Sequence, residues 1–231
     1  MMITTMSLLL LLVPGEDPNE GHKAFQSLES ALSKAKTLSF TFEAAIDPGP
    51  GAKFSGSVAA AGGNKAHLEL SGESQGKPGK MVMVSDGTKM RITNTGQNPQ
   101  SQDTPKKLDD MIRAMVARSG VLLPIFMVEP VQDGQKPKEF NVDEQLKVSD
   151  FKLGTKAKVG DREAQVLEYK LTARLAKEPF AVTVWLDPKT NLPLKRTITG
   201  DPGGQKMTIS ETYDKVALDE KIDEKKFEVP K

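Results

Sequence analysis

Residues 80–93 read KMVMVSDGTKMRIT. Two apolar-rich runs, Lys80–Val84 and Thr88–Thr93, flank Ser85-Asp86-Gly87. Asp-Gly between such runs is a strong local signal for a β-hairpin, because glycine accepts the positive φ that tight turns need. The chain on both sides repeats this grammar. Before it, Ser39–Ile46 places Phe40, Phe42, Ala44 and Ile46 on one face at period two, and a DPGPG turn follows at 47–51. Lys53–Ala61, the turn Gly62-Gly63-Asn64 and Lys65–Leu70 continue the pattern, with a loose loop then running to Gly79. After the hairpin, further strands are expected at Phe151–Val159, Ala164–Leu175, Phe180–Leu186, Leu194–Thr199 and Lys206–Tyr213. A short element around Phe227 closes the chain. Leu167, Tyr169, Leu171 and Ala173 share one face. These short strands at regular spacing predict one antiparallel sheet of at least eight members.

Helical periodicity is confined to two places. Residues 19–37 carry Phe25, Leu28, Leu32 and Ala35 at helical spacing behind a candidate cap, Asn19. Pro105–Ser119 aligns Leu108, Ile112, Met115 and Val116. Residues 94–104 and 129–141 are polar and read as loops, while 121–128, VLLPIFMV, reads either as a short helix kinked at Pro124 or as an apolar loop. The sheet is expected to wrap around the 105–119 helix.

Composition narrows the function. The 231 residues carry 32 basic and 31 acidic side chains and only 5% aromatics. No basic excess points to nucleic acid, and no stacking surface is offered to single strands. Cysteine is absent, which removes disulfides, thiolate metal sites, thiol catalysis and an N-terminal lipid-modified Cys. Met6–Val13, MSLLLLLV, is too short to span a bilayer and fits the apolar region of a secretory signal. It lacks a preceding Lys or Arg and a clean cleavage site; the expectation is still a signal over 1–15, and a single domain over 16–231 in the periplasm.

Residues for chemistry are missing. The two histidines, His22 and His67, do not make a ligand set: His22 is expected at the surface, and His67 shares a strand face with Glu69 but has no third ligand. Asp109-Asp110 sits opposite an apolar helical stripe and reads as a solvated face. Neither metal, cofactor nor enzymatic activity is expected. Methionine is the unusual feature. Six of the seven outside the N-terminal segment fall between Met81 and Met127. Flexible, polarisable Met suits surfaces that fit variable apolar partners, though it also fills ordinary cores.

Four segments resemble the outer-membrane lipoprotein carrier (LolA-like) family. Phe40-Thr41-Phe42-Glu43 after the first helix is similar to its opening strand, and Val84-Ser85-Asp86-Gly87-Thr88 to its central hairpin. Val184-Trp185-Leu186-Asp187-Pro188 through Leu194 resembles a hairpin of its C-terminal half, and Asp223–Pro230 its closing segment. The likeness spans about 21–230. It implies an α+β, mostly β fold: a half-open antiparallel barrel of about eleven strands with a helical lid. The implied role is a periplasmic carrier of lipoprotein acyl chains or other lipids, acting as a monomer with inner- and outer-membrane partner proteins. The alternative is a sensory or protein-interaction domain on the same scaffold. The resemblance also implies an Arg between the second and third strands that ties the lid; here that region reads Gly62-Gly63-Asn64-Lys65. Phe40, Phe42, Met81, Met83, Met90, Ile92, Met115, Leu122, Ile125, Phe126, Met127 and Trp185 are expected to line an apolar cavity or its lid. Period two alone does not say which strand face turns inward.

Overall fold

The computed structural model describes residues 18–47, 52–74, 76–127, 141–174, 176–201 and 206–230. The expected signal at 1–15 and the capping side chain of Asn19 lie outside the described residues. So does most of the polar stretch 129–141.

Eleven strands form one sheet: β1 Thr37–Asp47, β2 Lys53–Ala61, β3 Lys65–Ser74, β4 Lys77–Asp86, β5 Lys89–Asn94, β6 Gln100–Asp103, β7 Leu146–Val159, β8 Arg162–Ala173, β9 Phe180–Leu186, β10 Pro193–Gly200 and β11 Met207–Leu218. Their order is β6-β5-β4-β3-β2-β1-β11-β10-β9-β8-β7. Every neighbouring pair is antiparallel. Each half of the chain is therefore a meander, and the pairing of β1 with β11 joins the halves. The sheet does not close: β6 and β7 are its free edges.

The helices are α1 Pro18–Lys34, α2 Leu108–Ser119, α3 Leu122–Met127 and the single turn α4 Val142–Gln145, with a 3-10 turn at Glu224–Phe227. The stripe Phe25, Leu28 and Leu32 of α1, with Ala35 just past its end, is buried as its spacing requires. Phe25 meets Tyr169 of β8 edge-on, with ring centroids 5.2 Å apart. Leu108, Ile112, Val116 and Ala117 of α2 are buried on the same face of the sheet, in one core with Phe40, Phe42, Leu167, Val182, Val184 and Ile209. The architecture is a half-open barrel with a helical lid.

Several boundaries differ from expectation for local reasons. The loop expected at 71–79 is mostly strand, because β3 and β4 keep pairing through Gly72↔Gly79, Glu73↔Pro78 and Ser74↔Lys77. Pairing there is backbone work, and polar, exposed side chains give no period-two signal. β6 lies in the stretch expected to be loop for the same reason. β7 starts at Leu146, ahead of the expected Phe151, because register shifts at 149–152 and 153–156 break its alternation. Within the 121–128 segment, Leu122–Met127 is helical, with Pro124 in its first turn, where a missing N–H costs nothing, and Val128 lies outside the described residues.

Three cross-strand partners set phenylalanine against glycine. A Cβ on Gly56, Gly72 or Gly200 would meet Phe42, Phe54 or Phe180 respectively. Ring and bare backbone share a space that two side chains could not, so the sheet can curl tightly there. At Gly56 a Cβ would also lie 2.1 Å from the Glu69 carbonyl oxygen. Gly56→Ala is expected to lower stability by about 1–3 kcal/mol, as overpacked sites do. Gly62→Ala, whose Cβ would meet nothing within 4 Å, should change it by less than about 0.5 kcal/mol. Urea unfolding of the two variants checks this.

Candidate functional site

Two facing strand rows build the site. Register aligns Val58, Leu68, Met83 and Ile92 across β2–β5, and beside them Gly56, Leu70, Met81 and Asn94. Both rows lie on the helix-bearing face, because Phe40 and Phe42 of β1 begin them. Burial grades along each row. Phe40, Phe42, Val58 and Leu70 are buried, whereas Leu68, Met81, Met83 and Ile92 are only partly covered. From the lid, Met111, Met115 and Ile125 are partly covered in the same way. A partly buried apolar trough thus continues the core outward toward β4 and β5, and it is rich in methionine.

What holds the lid over this floor is polar. Arg196 of β10 is fully buried; its guanidinium donates to the carbonyls of Val116 at 2.7 Å and Ala117 at 2.8 Å. These carbonyls lie in the last turn of α2, where the helix lacks internal donors. Glu211 of β11, the register partner of Arg196, is also fully buried. Its carboxylate accepts the N–H groups of Val121 at 3.0 Å and Leu122 at 2.7 Å, at the start of α3. The Tyr213 hydroxyl donates to Glu211 and lies 3.4 Å from the Arg196 guanidinium. The Tyr169 hydroxyl donates to the Arg118 carbonyl at 2.6 Å. Opposite charges therefore meet the carbonyl end of one helix and the amide end of the next. The turn between them needs Gly120, with φ +73 and no room for a Cβ beside Glu211 and Tyr213.

Further ties hold the rim. Arg118 pairs with Glu29 at 2.8 Å and Asp143 at 2.7 Å. Arg113 reaches Asp109 at 2.9 Å and the Lys36 carbonyl at 3.1 Å. Asp109 is consequently buried, which corrects the expectation of a solvated Asp109-Asp110 face; Asp110 alone is exposed. At the β2–β3 turn the Asn64 side chain, at φ 64, accepts the Leu108 N–H at 2.9 Å at the start of α2. Lys65 instead pairs with Glu224 at 2.6 Å. The lid is tied at 62–65 by an amide rather than a basic side chain.

Phe40, Phe42, Met90 and Leu122 of the expected set lie in the buried core, and Met81, Met83, Ile92, Met115 and Ile125 pack against it, partly buried. The side chains of Phe126 and Met127 lie outside the described residues. Trp185 is placed elsewhere. Val184 and Leu186 take the core face of β9, so Trp185 turns to the opposite face, with the Lys195 ammonium 5.0 Å from its ring centre. Sequence reasoning missed Arg196, Glu211 and Asn64. A signal existed for two of them: Arg196 alternates with buried Leu194 and Ile198, and Glu211 with Ile209 and Tyr213. A charge on the core face of two neighbouring strands points to a buried pair.

A separate cavity of about 770 Å³ opens beside β1, β2, β3 and β11 and the tip of the β7–β8 hairpin. Many of its lining residues carry polar side chains, including Thr41, Glu43, Ser55, Ser57, Thr212 and Asp214, though apolar atoms make up more than half of the lining surface; Phe42 is the one member of the expected apolar set. Among the described residues no cluster of His, Asp and Glu could hold a metal, and no helix is long and apolar enough to cross a membrane.

The clamp makes two predictions. Arg196→Met strands two carbonyls and the Glu211 charge, so it should cost about 3–5 kcal/mol; adding Glu211→Gln should cost much less than the sum of the two single changes in a double-mutant cycle. Burial raises the hydroxyl pKa of Tyr213 well above its ordinary value, with Glu211 adding and Arg196 opposing, and burial raises Tyr169 likewise. A group whose folded pKa is raised gives stability below its unfolded pKa, about 10, and loses it as pH climbs from there toward the folded pKa. Stability should therefore fall steeply above pH ~10, and Tyr213→Phe should flatten that fall in urea melts across the alkaline range.

No protein-family model matches the sequence, and no curated protein matches it. Solved structures do. LprF from Mycobacterium bovis matches at TM-score 0.51 and 10% identity, over 87% of this chain and 95% of its own. MucB matches at TM-score 0.47 and 16% identity, over 92% of this chain, which spans 63% of the MucB chain. A LolA superfamily protein from Nitrosomonas europaea matches at TM-score 0.34 and 10% identity, over 90% and 97%. The fold is that of LprF, and a half-open barrel under a helical lid is the architecture that the LolA-like resemblance implied.

Proposed function

We propose that this protein is a non-enzymatic carrier that shelters acyl chains of lipids or lipoproteins in the trough between β3–β5 and α2–α3. The observation that carries this reading is the graded burial of one apolar surface. Leu68, Met81, Met83, Ile92, Met111, Met115 and Ile125 continue the core yet keep part of their surface exposed. Large contiguous apolar surface in contact with water marks a binding site. Each buried methylene is worth about 0.8 kcal/mol, so even a short acyl chain gains enough to displace water there. Methionines let the walls adapt to chains of different length. Export through the apolar N-terminal segment, as one domain from residue 16 onward, would place this carrier in the periplasm, where lipids need such shelter.

A second reading is a protein-interaction module on the same fold. The cavity beside β1–β3 and β11 supports it, since its hydroxyls and carboxylates can hydrogen-bond a peptide backbone over a partly apolar lining.

Displacement of a dansyl-labelled fatty acid separates the two. Wild type should bind the probe, and Met83→Asp with Ile125→Asp should weaken binding by about tenfold or more, with an unchanged far-ultraviolet spectrum. Trp185→Ser, on the opposite face, should bind as wild type. A wild-type protein that takes up no fatty acid, or loss of binding only through unfolding, would put the interaction module first.

A further inference from the structure

The C-terminal segment does not end at the sheet edge. After β11 it turns back and crosses five strands on the face away from the helices. Asp219 accepts the Lys36 N–H at 2.7 Å, and the Glu220 carbonyl accepts the Thr37 hydroxyl at 2.7 Å, at the start of β1. Glu224 pairs with Lys65 of β3. The Lys226 carbonyl accepts from His67 Nδ1 at 2.8 Å. Arg91 of β5 donates to the Pro230 carbonyl at 3.0 Å.

Beneath the 3-10 turn runs the row Ala59, His67, Val84 and Arg91, aligned across β2–β5 on the outer face. Ala59, Val84 and Phe227 are all nearly inaccessible, yet none belongs to the main core. The turn packs against β3 and β4. Phe227 is the large apolar residue that covers this outer patch.

We infer that this strap is a brace for the trough. The outer row Ala59–His67–Val84–Arg91 is the immediate neighbour, one residue along each strand, of the inner row Val58–Leu68–Met83–Ile92. Strands β3–β5 lie toward the free edge at β6, and α1 covers the opposite edge strand, β7. Ties running at right angles to the strands limit how far β3–β5 can splay from β1. Releasing the strap frees that half of the sheet, widens the trough and leaves β8–β10 as they are. The strap thus controls access to the surface on which the proposed function rests, and its mechanical part holds whatever occupies that surface.

Hydrogen exchange with mass spectrometry on the full chain tests it without any ligand. In Phe227→Ala, amides of β3–β5 should exchange about tenfold faster, with β8–β10 unchanged. Arg91→Ala, which removes only the outermost tie, should accelerate β4 and β5 in the same direction by less. Fluorescence of bis-ANS, an apolar dye, should rise in both. Equal acceleration of both halves, or of neither, would overturn the brace, and Arg91→Ala decides the matter if Phe227→Ala does not fold. Absence of fatty-acid binding by the wild-type protein, with the selective β3–β5 acceleration in the variants still seen, would overturn the carrier reading alone.

Discussion

A buried arginine and a buried glutamate on neighbouring strands set the terms for the rest of this structure. Arg196 and Glu211 are register partners on β10 and β11, both without solvent contact. Charges so placed are costly unless they are paired and hydrogen-bonded. Here the two terminal nitrogens of the guanidinium donate to the carbonyl end of α2, while its Nε–H has no partner among the described residues, and the carboxylate takes the amides that begin α3. Helix ends need such partners wherever they are buried away from water. The pair and the helix turn therefore require one another, and the position of α2–α3 over the sheet follows.

That anchorage is lopsided. The clamp grips the lid above β10 and β11, and Arg118 adds ties to α1 and α4 on the same side. Toward β4 and β5 the lid is held more lightly, by Asn64 at the start of α2 and by apolar contacts. The Phe–Gly partners curl the sheet beneath, at Phe42 with Gly56 and Phe54 with Gly72. Polar ties are therefore dense on one side of the lid and sparse on the other, and the partly buried methionines lie on the sparse side. The same sheet carries the C-terminal strap on its reverse, so the two faces of β3–β5 are mechanically linked.

Much of this was legible in the sequence. Alternation in Ser39–Ile46 and Phe180–Leu186, the Ser85-Asp86-Gly87 turn and the stripe from Phe25 to Ala35 each reflect one dominant local force, and each is found in place. β6 and the extensions of β3 and β4 were not legible, because backbone pairing of exposed polar residues leaves no period. Trp185 shows a subtler failure. Its neighbours Val184 and Leu186 are also apolar, and in an apolar run alternation does not reveal which member faces the core. The clamp is not visible in either strand by itself; only the pairing of β10 with β11 sets the Arg196 charge beside that of Glu211.

The most direct test of the account is native mass spectrometry, with lipid extraction, on the full-length protein produced in its own host and purified without detergent. A carrier should retain acyl-bearing ligands, and Met83→Asp should come through the same purification folded and empty. Wild-type protein that is uniformly ligand-free, or a charged variant that keeps the same lipids, would contradict the assignment of the trough as the binding site.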